Sequence, residues 1–129
     1  MPKLYSVAEA NALLPEITDL LRALQQQVAA LAEIESELKE HRKLIQSNGH
    51  GAETDGLGAQ AHKLQERVRT GLERLHDLDI ELKDLQMGLI DFYHEREGRL
   101  VYLCWRLGEP EVLFWHDLDT GFAGRQLLT

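Results

Sequence analysis

Side chains that can ligate a metal ion are concentrated between residues 91 and 116 of this 129-residue chain. They are Asp91, His94, Cys104, Glu109 and His116. A zinc ion needs three or four such groups to converge on one point, each about 2.0–2.3 Å from the metal. The sequence contains no paired C-x-x-C motif. The residue types therefore permit a metal site, and the fold decides whether they converge.

A polar binding site is the second chemical possibility. Asp91, His94, Glu109, His116 and Arg125 can bind an anion or perform acid–base chemistry if one pocket gathers them. Alternatively, Arg125 pairs with a carboxylate and holds the C-terminal tail in place. We favour this structural interpretation of Arg125, and the five residues remain the candidate polar site. Catalytic residues cannot be named from the sequence.

The single cysteine, Cys104, cannot form an internal disulfide, which fits a reducing compartment. A cysteine nucleophile needs a neighbouring base or cation that lowers its pKa. Its nearest neighbours on the same side of a strand are Tyr102 and Arg106. We therefore expect an inert, half-buried thiol.

The segment after Gly88 has the hydrophobic pattern of β-strands. Apolar residues alternate with period two, and the alternation is interrupted by the turn sequences EREG and GEP. This pattern predicts a three-stranded antiparallel meander over residues 89–116. The tail, residues 117–129, is interpreted as a docked loop.

The register of the meander decides which side chains meet. The most apolar solution places Ile90, Phe92, Val101, Leu103, Trp105, Leu107, Val112 and Phe114 on one inner face. His94 and His116 then lie on the inner face and Cys104 on the other, so we expect no metal and no cofactor. A one-residue slip or a bulge in the third strand would bring Cys104 and His116 together. The outer face carries a candidate contact patch of Tyr93, Tyr102 and Trp115.

The first part of the chain has the signature of long helices. Ser6 and Glu9 form a capping box, and apolar residues then recur at alternating spacings of three and four. We expect helix 1 over residues 6–46 with a kink or short break near Pro15, a loop over 47–57, and helix 2 over 58–87. These helices would form a coiled-coil-like antiparallel hairpin. The predicted fold is α+β, in a single domain.

Composition excludes several partners. The net charge is −8, with 22 acidic and 14 basic residues, which disfavours binding to nucleic acid or to an anionic membrane. The N-terminus lacks a signal-peptide pattern, and no apolar run reaches membrane-spanning length. We expect a cytoplasmic protein.

Four stretches, YSVAEANALLPEI, GLIDF, LCWRLGE and WHDLDTGFAGR, resemble a family of small prokaryotic proteins designated Domain of Unknown Function 2203. The resemblance extends over essentially the whole chain. The family pattern favours Asp91, Phe92, Cys104, Trp105, Gly108, Glu109, Trp115, His116 and Arg125. It implies no reaction, cofactor or partner.

The leading functional hypothesis is a non-enzymatic protein-interaction or assembly module. It would act as a homo-oligomer, with a dimer favoured, or bind an unidentified protein. Leu13, Leu20 and Ile34 support it, because they widen the apolar stripe beyond one packing surface. The alternative is a small enzyme or a ligand- or metal-binding protein with a polar site around His94, Glu109, His116 and Arg125.

Overall fold

The computed structural model describes residues 1–48 and 52–129, and the side chains outside residues 45–55. Its helices are α1 (Val7–Asn48), α2 (Ala52–Asp77) and the short 3-10 helix η1 (Phe122–Gly124). Its strands are β1 (Ile80–Asp84), β2 (Leu89–Arg96), β3 (Arg99–Arg106), β4 (Phe114–His116) and β5 (Gln126–Leu127). Within these residues the strands form one antiparallel sheet in the order β1-β2-β3-β4-β5. The predicted α+β class is confirmed.

Helix α1 begins at the predicted capping box. The Ser6 backbone N–H donates to Glu9 Oε1 at 2.9 Å, and the Glu9 N–H donates to Ser6 Oγ at 3.0 Å. The two bonds satisfy backbone donors that the helix cannot pair internally. The helix then runs through Pro15 without interruption. A break at Pro15 is therefore excluded, whereas a kink there stays a prediction.

The described part of the chain divides into two compact units. Unit 1 comprises residues 1–22 and 73–129, and unit 2 comprises residues 23–72. Of the predicted loop 47–57, residues 49–51 lie outside the described residues, and the flanking positions 47–48 and 52–57 are helical. The antiparallel coiled-coil pairing of the two helices is not established and stays a prediction.

The sheet has two more strands than the three that the sequence predicted. Helix α2 ends at Asp77 rather than at residue 87, because Asp79 adopts a left-handed conformation (φ 56°) that terminates it. Leu82 continues the helical spacing of apolar residues, yet it pairs with Ile90 in β1. Strand β5 lies in the tail that was interpreted as a loop, and pairs Gln126 with Trp115.

Strands β2 and β3 form a regular hairpin whose turn fits the sequence. Glu97 and Gly98 occupy it with φ values of 52° and 74°, as a two-residue type I′ turn requires. The pairing of Phe92 with Leu103 and of Ile90 with Trp105 places these side chains on one face, here called the inner face. All four are at most 2% exposed. This part of the predicted inner face is confirmed.

The segment before α1 contacts the inner face, and the first turns of α1 contact the chain that follows β3. The Tyr5 ring contacts the Phe92 ring edge-on, with centroids 5.1 Å apart, and Asn11 Oδ1 accepts a hydrogen bond of 2.7 Å from the Val112 N–H. Leu14 and Ile17, one and two turns further along α1, are also buried. Full burial of such side chains stabilises the fold by roughly 1.5–3 kcal/mol each.

Strand β4 has the opposite register to the one predicted. Trp115 pairs with Leu103 and lies on the inner face, whereas Phe114 and His116 pair with Cys104 and Tyr102 on the opposite, outer face. The predicted inner face includes Val112 as part of the third strand, but residues 107–113 are not in a strand. This irregular segment shifts the alternation by one residue, so Phe114 and His116 were assigned to the wrong face.

Unit 2 buries its apolar residues only in part. Leu24 and Ala61 are buried, but the next apolar positions along both helices, Leu31, Ile34, Leu38, Leu64 and Val68, are half-buried. Val28 and Leu72 are 38% and 41% exposed. Among the described helices, none has both the length and the apolar character needed to cross a membrane.

Candidate metal centre

Three side chains of the outer face converge on one point. Asp91 in β2, Cys104 in β3 and His116 in β4 lie on three adjacent strands, and the register turns all of them to the same side. Their ligand atoms lie within 4.8 Å of one another. Each residue is only 1% exposed. The predicted register had placed His116 on the opposite face from Cys104, and the observed register corrects this.

The backbone carbonyl of the next residue, Asp117, orients the His116 ring. His116 Nδ1 lies 2.7 Å from the carbonyl oxygen of Asp117, and Nε2 lies 3.0 Å from Asp91 Oδ1. A carbonyl oxygen only accepts, so Nδ1 carries a hydrogen and donates it. Nε2 and Oδ1 are then two acceptors that face each other at contact distance. The contact is therefore satisfied by a proton on Nε2 or on Asp91, or by a metal ion that both atoms ligate.

The environment of Asp91 disfavours a bare carboxylate. Burial raises the pKa of Asp91, while the nearby His116 and, less strongly, Lys83 act in the opposite direction. A positive charge on the Nε2 side compensates for the lost solvation of this carboxylate. Burial therefore favours either protonation of Asp91 or a positive charge beside its carboxylate.

The Cys104 thiol is not an activated nucleophile. Burial, reinforced by the negative charge of Asp91, raises the pKa of Cys104 to about 12. The thiol is therefore protonated at neutral pH in the absence of a metal. A metal ion at this position would replace the proton, since the thiolate is the ligand form.

An ion pair holds the tail next to this cluster. Arg125 Nη2 donates to both carboxylate oxygens of Glu109 at 2.7 Å, and its guanidinium lies 3.8 Å from the centre of the Phe114 ring. Glu109 Oε1 also accepts from the Arg106 backbone N–H at 2.7 Å. This geometry matches the structural interpretation of Arg125 rather than a free anion-binding group.

His94 lies on the inner face, away from the cluster. It pairs with Val101 across the hairpin, and its Nδ1 lies 2.6 Å from the carbonyl oxygen of Tyr5. The predicted polar site is therefore divided into three parts. Asp91 contacts His116, Glu109 contacts Arg125, and His94 contacts the segment before α1.

The predicted contact patch is also divided. Trp115 lies on the inner face, where the guanidinium groups of Arg96 and Arg99 lie 4.8 Å and 5.8 Å from its ring centre. Tyr102 is buried on the outer face, and the Tyr93 hydroxyl donates to Glu81 at 2.8 Å. The Tyr93 and Tyr102 rings remain in contact, with centroids 5.0 Å apart, but the β4 register places Trp115 on the other face.

A cleft of about 290 Å³ gives access to the cluster. Asp91, His116 and Tyr102 line it on the sheet side, and residues 118–122 line it on the side of the tail. Lys83 lies at its border, with Nζ 4.9 Å from the centre of the Tyr102 ring. No sequence signal indicated Lys83, because it fell inside the predicted helix 2.

A family model described as "Uncharacterized conserved protein (DUF2203)" matches residues 3–128, nearly the whole chain. The chain belongs to the DUF2203 family. The predicted family resemblance is thereby confirmed. This DUF2203 protein matches no curated protein and no solved structure. Membership in the family implies no reaction, cofactor or partner for this chain. The function of the chain therefore has to follow from the geometry.

Proposed function

We propose that this DUF2203 protein binds a zinc ion through Asp91, Cys104 and His116. The observation that carries the proposal is the convergence of one carboxylate, one thiol and one imidazole within 4.8 Å in a buried site. Zinc takes such mixed oxygen, sulfur and nitrogen ligands in tetrahedral geometry. A cysteine ligand disfavours magnesium and calcium, which prefer oxygen.

The local geometry supports coordination by His116 Nε2. Metal-bound histidines almost always donate their second ring N–H to a carbonyl or carboxylate, as His116 Nδ1 does to the Asp117 carbonyl. The distance of 3.0 Å between Nε2 and Asp91 Oδ1 approaches the edge of a zinc tetrahedron, roughly 3.3 Å for bonds of about 2.0 Å.

Three protein ligands leave one tetrahedral position open. Structural zinc sites are filled by four protein ligands, whereas catalytic sites keep one position for water or substrate. Asp91 and His116 border the cleft while Cys104 does not, so the open position is expected on the cleft side. The site therefore resembles a reactive zinc centre more than a structural one.

Metal analysis after equilibration with zinc and removal of unbound metal tests this proposal. The wild type is expected to retain about one zinc per chain, with a raised melting temperature. Cys104→Ser and His116→Gln should lose most of the zinc. The matched control is His94→Gln, which changes a histidine on the other face of the same sheet. A metal-free wild type, or equal zinc loss in the control, would contradict the proposal.

A second proposal concerns unit 2, which we assign to self-association of two copies of the chain. Its support is the half-buried apolar stripe in residues 23–44 and 56–72, with Val28 38% and Leu72 41% exposed. Two helices of this size bury too little apolar surface to be stable alone. The heptad spacing favours a second copy, in a coiled-coil-like hairpin dimer, as the cover. Such a dimer would give the protein an assembly role in the cytoplasm.

Light scattering at several protein concentrations tests the dimer. Val28→Lys places a charge in the apolar stripe and should convert the dimer to a monomer. Ala29→Lys is the control, because it adds the same charge at the adjacent exposed position, about 100° around the helix. A monomeric wild type at all concentrations would exclude self-association.

A further inference from the structure

The cleft beside the Asp91–Cys104–His116 cluster has features of a binding site for a small organic ligand. Its volume of about 290 Å³ lies at the lower end of the range for small-molecule pockets. The ligand would therefore be small. Its chemical class can be read from the groups that line the cleft.

One side of the cleft carries an ammonium group without a counter-ion. Among the described residues no carboxylate forms an ion pair with Lys83, and Lys83 Nζ lies over the Tyr102 ring on the outer face. Lys83 also interacts electrostatically with Asp91, so its charge acts close to the cluster. A negatively charged ligand group between the metal and Lys83 would be attracted by both.

Part of the cleft lining consists of large apolar side chains. Leu118 and Phe122 are 46% and 38% exposed, and both line the cleft together with the buried Leu89. Large apolar side chains that cluster at a concave surface often mark a ligand site. They would contact an apolar portion of the ligand.

We infer that, with zinc bound as proposed above, the cleft binds a small carboxylic acid that has a short apolar chain. The carboxylate oxygen occupies the open zinc position and faces Lys83, and the chain lies against Leu118 and Phe122. This inference rests on the proposed zinc site and adds the ligand class. Asp119, which also lines the cleft, would repel the same carboxylate.

Cobalt-substituted protein separates the two proposals in one experiment. Cobalt(II) in a site with a thiolate ligand absorbs visible light, and the spectrum changes when an anion enters the coordination sphere. The probes are acetate, butyrate and inorganic phosphate. Butyrate should bind about tenfold more tightly than acetate, because its two additional methylene groups are buried. Phosphate should bind more weakly than butyrate.

Three variants test the assigned charges. Lys83→Gln should weaken butyrate binding roughly three- to fivefold, whereas Lys83→Arg should retain it. Asp119→Asn should strengthen binding about twofold, since it removes a repelling charge. Lys3→Gln is the matched control. Lys3 Nζ also lies 4.9 Å from the centre of a tyrosine ring, that of Tyr5, but Lys3 does not line the cleft. This control should leave butyrate binding unchanged.

The outcomes identify which proposal fails. Absence of a cobalt spectrum refutes the metal site itself. A cobalt spectrum that no probe changes refutes the ligand inference and leaves the metal site intact. Butyrate binding no tighter than acetate, or equal weakening in Lys83→Gln and Lys3→Gln, also overturns the ligand class.

Discussion

Unit 1 and unit 2 both contain apolar side chains in regular spacing, yet they bury them to different degrees. Phe92 and Leu103 in unit 1 are 0% exposed, and the Tyr5 ring, just before α1, packs edge-on against Phe92. Leu64 in unit 2 is half-buried, and Leu72 is 41% exposed. Unit 1 therefore encloses the buried Asp91–Cys104–His116 cluster, whereas unit 2 leaves part of its apolar surface exposed.

The largest expected change in stability comes from replacing one leucine by alanine in each unit. Leu103→Ala should lower the free energy of unfolding by about 3–4 kcal/mol, because it leaves a cavity in a closed core. Leu64→Ala should lower it by only about 1–2 kcal/mol. Chemical denaturation followed by helical circular dichroism and by fluorescence of the tryptophans, Trp105 and Trp115, measures both. If Leu64→Ala costs as much and its cost grows with protein concentration, a second copy covers unit 2.

Deleting one ion pair in each unit should have a smaller maximum cost. The Arg125–Glu109 side chains are 11% and 21% exposed, so Arg125→Gln should cost about 2–3 kcal/mol by leaving Glu109 unpaired. The Arg69–Glu66 side chains in unit 2 are 65% and 47% exposed, so Arg69→Gln should cost at most about 0.5 kcal/mol. Added salt should reduce only the second effect. Equal costs in low salt would argue against tight docking of the tail.

Two glycine substitutions should change stability in opposite directions. Gly88 has φ +65°, and an added Cβ would overlap Leu107 Cβ, so Gly88→Ala should cost about 2–3 kcal/mol. Gly58 is helical with nothing within 4 Å of an added Cβ, so Gly58→Ala should add roughly 0.5–1 kcal/mol. Thermal melting of the two variants measures the signs. A destabilised Gly58→Ala would mean that another chain packs against that position.

The smallest effect is a pH dependence at the start of α1. The hydrogen bonds from Ser6 lower the pKa of Glu9. A lowered folded-state pKa means that the stabilisation is complete above the unfolded pKa, about 4.3, and is lost as pH falls through the lower folded value. Glu9→Gln should therefore flatten the loss of stability in that acidic range, measured by denaturation between pH 5 and pH 3. Glu37→Gln, exposed in unit 2, is the control for a general charge effect.

Local patterns were sufficient for the parts of the fold whose contacts are close in the chain. The capping box of Ser6 and Glu9 is complete within one turn, and the hairpin of β2 and β3 needs only the turn at Glu97 and Gly98. The alternation of apolar residues is unbroken on both sides of this turn. This pattern was enough to predict that Phe92 and Leu103 are buried. The α+β class and the DUF2203 membership were likewise readable from the residues.

Long-range pairing decided the rest. Leu82 keeps a helical spacing, but its partner Ile90 makes it part of a strand, which local periodicity cannot reveal. The irregular residues 107–113 break the count of inner and outer positions, and only pairing with β3 assigns His116 to the side of Cys104. The residue types of the candidate site were therefore visible in the sequence, but their proximity in the fold was not. It depends on a register that neighbouring strands impose through hydrogen bonds.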